Sequence, residues 1–88
     1  MMRAQFLEIE GHPVLQVCGR LAEGWVQELE DFWRAGKKDH ISVDLRGVTF
    51  IDESGARLLR RMYRDGATFL AGGVLVREVV NQITGGSK

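Results

Sequence analysis

The sequence predicts one compact α/β domain, a mixed sheet of about four strands with three helices. Three observations carry that prediction. The chain has 88 residues, 44% hydrophobic and 27% charged, the balance of a single soluble globular domain. Segments with strand-like alternation take turns with segments of helical spacing. Glycine-centred turn signals separate them. The whole chain, residues 1–88, is read as this one domain, with 85–88 as a frayed tail.

Residues 6–10 favour a strand and lead into the turn signal Gly11-His12-Pro13. Val14 to Cys18 forms the second strand, and the short gap implies a hairpin. Gly19 and Arg20 are expected to end it. Leu21, Trp25, Leu29, Phe32 and Trp33 then recur at helical spacing, an apolar stripe expected in the core. Gly36 is the expected stop, followed by Lys37 and Lys38. Ile41, Val43 and Leu45 alternate with polar residues as a half-buried strand, which Arg46-Gly47 is expected to interrupt before Val48-Ile51. Leu58, Leu59, Met62 and Tyr63 have helical spacing, and Gly66 ends that helix. Residues 67–71 give a fourth strand, and Val76, Val79, Val80 and Ile83 a last helix. The predicted order is β-β-α-β-α-β-α, with parallel strands after the hairpin. Whether the helices cover one face or both is open at this stage.

Charge and cysteine usage narrow the function. Twelve basic and twelve acidic side chains leave no net charge, so no global field draws the chain to nucleic acid or anionic lipid. No stretch is long and apolar enough for direct membrane insertion. A single cysteine, Cys18, forms no internal disulfide, which suits the reducing cytoplasm. His12, His40 and Cys18 lack metal-ligand spacing. Ser54 precedes Gly55, but Asp52 stands where a nucleophile elbow needs glycine. Phosphate-cradling glycine motifs are missing. Neither an enzyme nor a cofactor is expected.

The informative segment runs from Ile41 to Leu59. Asp52 follows an apolar strand and precedes an apolar-periodic helix, the position of an N-cap whose carboxylate accepts the amide of Ser54 or Gly55. Glu53 places a negative charge in the first turn, where the helix dipole favours it. Gly55 gives up about 1 kcal/mol of helix propensity relative to alanine. Its presence predicts close approach of another backbone. Downstream, Arg57, Arg61 and Arg64 share one stripe of the helix. That stripe reads as a solvated face with a Glu53–Arg57 pair, or as a docking stripe for an acidic surface. The acidic first helix of a second copy is one candidate for that surface.

The run Ile41-Ser42-Val43-Asp44-Leu45-Arg46-Gly47-Val48-Thr49-Phe50-Ile51-Asp52, then Ser54-Gly55 and Leu58-Leu59, resembles the STAS family. This is the domain of sulfate transporters and anti-sigma factor antagonists. Gly19-Arg20-Leu21 also looks like the family's pattern after strand two, and the element order agrees from residue 6 to 83. The resemblance implies a non-enzymatic protein–protein interaction module in bacterial regulation. Its implied partner is a kinase-like anti-sigma factor, and its implied switch is phosphorylation of the hydroxyl residue after the aspartate. Here Glu53 occupies that position and Ser54 the next, so the serine phospho-switch is expected to be absent. The alternative is an accessory STAS-like subunit of a lipid or anion transport complex, with a transporter ATPase as partner. Asp52, Glu53, Ser54, Gly55, Arg57 and Arg61 are the expected partner-binding and regulatory residues. The family pattern carries a further strand and helix beyond the last helix here. Without them, an exposed edge or apolar patch is expected to favour a homodimer.

Overall fold

The computed structural model describes residues 2–36 and 40–85. The elements follow the predicted order: β1 (Met2–Ile9), β2 (His12–Leu21), α1 (Gly24–Gly36), β3 (Ser42–Ile51), α2 (Glu53–Arg64), β4 (Thr68–Leu70) and α3 (Val74–Thr84). The sheet order is β1-β2-β3-β4. β1 pairs antiparallel with β2, and β3 pairs parallel with both β2 and β4. Lys37 and Lys38, and residues 86–88 of the expected tail, lie outside the described residues. Gly85, at φ 70°, caps α3 in the left-handed conformation.

The hairpin turns one residue earlier than expected. Ile9 pairs with His12, so Glu10 and Gly11, at φ 51° and 82°, form a two-residue turn of the primed type. Pro13 then lies in β2 ahead of Val14, where the parallel pairing to β3 begins.

β2 does not end at Gly19 and Arg20. It runs to Leu21, because β3 continues alongside it to Ile51. Leu21 therefore closes a strand rather than opening a helix. Arg46-Gly47 does not break β3 either. Gln16 faces Asp44 while Cys18 faces Gly47, so β3 carries one extra residue there, a β-bulge. The bulge shifts the alternation, and Val43, Leu45 and Val48 all point into the core. Gly47 fits because a Cβ there would lie 2.6 Å from Cys18 Sγ. The Asp44 carboxylate accepts the backbone N–H, Nε and Nη2 of Arg46 at 3.0–3.1 Å. Those bonds supply partners for the groups of the bulge.

A single hydrophobic cluster joins all three helices to one face of the sheet. It contains Leu15 and Val17 of β2, Leu45 of β3, Leu29 of α1, Leu58 of α2 and Val76 of α3, among others. The opposite face has a polar character, with a Gln5–Gln16 bond, a Ser42–Thr68 contact and Arg20 over the Phe50 ring. Helix α1 begins at Gly24 and buries Val26, Leu29 and Trp33. Trp25 falls off that stripe and is 36% exposed, against 4% for Trp33. Phe32 stacks on Phe6 of β1 at 4.8 Å between ring centroids. Tyr63, expected to pack, is half-exposed and stacks on Phe69 at 6.4 Å.

Candidate functional site

The carboxyl ends of β2 and β3 lie side by side, and the turns leaving them meet at Asp52. Asp52 has extended backbone dihedrals and caps α2, as the sequence predicts. Its Oδ1 accepts the Gly55 N–H at 2.8 Å and the Ser54 hydroxyl at 2.7 Å. Its Oδ2 accepts the Glu23 N–H at 3.0 Å, and its own N–H donates to the Leu21 carbonyl at 3.2 Å. The Gly55 amide, followed by the Ser54 hydroxyl, holds the Asp52 carboxyl below its ordinary value of 3.8. The charged form is the one these donors stabilise.

Gly55 is buried, and the close approach expected from its identity is internal. A Cβ there would stand 2.6 Å from the Leu21 carbonyl oxygen and 3.1 Å from Ile51 Cγ2. The missing side chain lets the first turn of α2 rest on the end of β2. Glu23 adopts φ 57° in the turn between β2 and α1, a conformation uncommon outside glycine and asparagine. The Asp52 carboxylate fastens that turn.

Ser54 and Glu53 have opposite environments. The Ser54 hydroxyl is engaged with Asp52 and half-buried. The Glu53 side chain is 86% exposed, and its partner is Arg57, 3.6 Å away one turn on. An exposed pair of this kind contributes little to stability.

Beyond Ser54, α1 and α2 run side by side and enclose an open groove of about 520 Å³. Arg57, Arg60, Arg61 and Arg64 line its α2 side, and Val26, Gln27 and Glu30 its α1 side. The Glu30 carboxylate, 13% exposed, bonds Arg34 at 2.8 Å and Arg61 at 3.2 Å. The acid–base match between the two helices is thus made within one chain. Of the six expected site residues, Asp52, Ser54 and Gly55 form the helix start, and Glu53 pairs with Arg57 outside it. Arg61 stands apart, bonded across the groove to Glu30. Sequence reading missed Glu23 and Glu30. Their roles rest on contacts 29 and 31 residues away, and no local pattern carries such contacts.

Among the described residues, no group of three His, Cys, Asp or Glu side chains gathers as a metal site. No helix among them is long and apolar enough to cross a membrane.

The STAS domain family model matches residues 8–75. No curated protein matches the chain at a significant level. Solved structures share the fold, two anti-sigma factor antagonists among them. An anti-sigma factor antagonist from Mycobacterium paratuberculosis superposes with a TM-score of 0.81 at 22% identity, over 97% of this chain and 79% of that one. The anti-sigma factor antagonist SpoIIAA in its unphosphorylated form gives 0.69 at 22% identity, over 94% and 81%.

Proposed function

The chain belongs to the STAS domain family, and from that membership we propose that it is a non-enzymatic protein-binding module acting like an anti-sigma factor antagonist. The partner is a kinase-like anti-sigma factor in the cytoplasm, and docking centres on the start of α2. One observation carries this reading. The Asp52 carboxylate ties the helix start together with three hydrogen bonds, and the charged Glu53 side chain projects from it into solvent. The family switch adds phosphate at that position, and a phosphate at a helix start changes charge and hydrogen bonding on the docking surface. Glu53 has no hydroxyl, and the hydroxyl of Ser54 is held by Asp52. The module therefore binds without a serine phospho-switch.

Affinity purification of the tagged chain, with mass spectrometry of what it retains, tests the reading. We expect an ATP-binding anti-sigma factor, an unchanged chain mass after incubation with that kinase and ATP, and an altered affinity in Glu53→Ser. Stoichiometric phosphorylation at Ser54 would overturn the absent switch. Recovery of a transporter ATPase instead would assign the chain to a transport complex.

A further inference from the structure

We infer that the groove between α1 and α2 seats an acidic helix of the protein partner, one with carboxylates a single turn apart. The inference rests on the reading of the chain as a binding module and adds the chemistry of what it binds. Four arginines crowd the α2 wall. Arg61 is ion-paired with Glu30, which also holds Arg34, and Arg57 is paired with Glu53. Arg60 and Arg64 are exposed and have no hydrogen bond or ion pair among the described residues. They stand four apart, on the same side of α2, where like charges repel. Two carboxylates at the same spacing on a partner helix would meet both guanidiniums and relieve that repulsion.

The opposite wall selects against other anions. Glu23 and Glu30 line it, beside Val26 and Gln27. A nucleic acid strand carries its charge continuously and would run past the Glu23 carboxylate. The chain as a whole offers it no net positive charge. An amphipathic helix can direct carboxylates toward Arg60 and Arg64 and turn an apolar or amide side toward α1. Ser54 also lines the groove, so a helix seated there reaches the start of α2.

Fluorescence anisotropy tests this with a labelled helical peptide of about 15 residues. One version carries two glutamates four apart, and the other carries glutamines. The glutamate peptide should bind about tenfold more tightly than the glutamine peptide at low salt, and the difference should shrink as salt rises. The double variant Arg60→Ala/Arg64→Ala should lose that preference with a melting temperature no lower than the parent's. Arg77→Ala on α3 should keep it. Equal binding of the two peptides, an unaffected double variant, or displacement by single-stranded DNA at equal concentration each overturns the inference. If the purified partner binds the double variant undiminished, the groove assignment fails and the binding-module reading stands. If the peptide binds but no partner is recovered, the reverse holds.

Discussion

Asp52 Oδ2 accepts the Glu23 N–H at 3.0 Å, a contact spanning 29 residues of sequence. The same carboxylate caps α2 through Oδ1. One side chain therefore fixes both turns at the carboxyl edge of the sheet, and with them the starts of α1 and α2. A helix cap here also joins two βα units.

Replacing Asp52 tests that double role. Asp52→Ala removes the acceptor for Gly55, Ser54 and Glu23 together. The expected loss is about 2 kcal/mol, the upper end for an N-cap. Urea unfolding followed by circular dichroism measures it. A loss no larger than that of Ser54→Ala would mean that the Glu23 contact contributes nothing.

Acid should weaken the fold through two aspartates. The Asp44 carboxyl lies below its ordinary 3.8, chiefly through its bond to the Arg46 side chain, with burial opposing. Asp52 is lowered by the Gly55 amide and the Ser54 hydroxyl. A depressed carboxyl stabilises the fold fully above its unfolded value, and that stability is lost as pH falls through the folded value. Stability should therefore be flat from neutral pH to about 5 and fall below 4. Asp52→Asn should start lower and fall less steeply. Parallel curves for the two proteins would remove Asp52 from the account.

Gly55→Ala and Gly24→Ala should move stability in opposite directions. Alanine favours a helix interior by about 1 kcal/mol over glycine. At Gly24 nothing lies within 4 Å of a built Cβ, whereas at Gly55 the Leu21 carbonyl oxygen lies at 2.6 Å. Overpacking of that kind costs about 1–3 kcal/mol. Gly55→Ala should melt several degrees lower, at about 4–8 °C per kcal/mol for a domain of this size. Gly24→Ala should melt no lower than the parent chain. A neutral Gly55→Ala would show that α2 can slide away from β2.

The parts of this fold legible in the sequence are those set by neighbouring residues. The alternation of Ile41, Val43 and Leu45, the periodicity of Leu58, Leu59 and Met62, and the cap at Asp52 are all local. Gly55 was legible because glycine in a first helical turn runs against propensity. What escaped depends on partners distant in sequence. Gly19-Arg20 and Arg46-Gly47 look like ends when read alone, but each is carried through by the strand beside it. Trp25 falls on the apparent apolar stripe only when Leu21 is counted as a member of α1. Once Leu21 belongs to β2, Val26 takes the inward position and Trp25 moves to the rim.

The strands lie across the sheet in the order in which they occur along the chain. Each new strand therefore adds beside its immediate predecessor, and none must insert between two already paired. The β1–β2 hairpin closes through a two-residue turn, an event of about 1–10 μs. Each later strand then requires the closure of a single helical crossover. The spatial order of the sheet thus repeats the order in which its strands are synthesised.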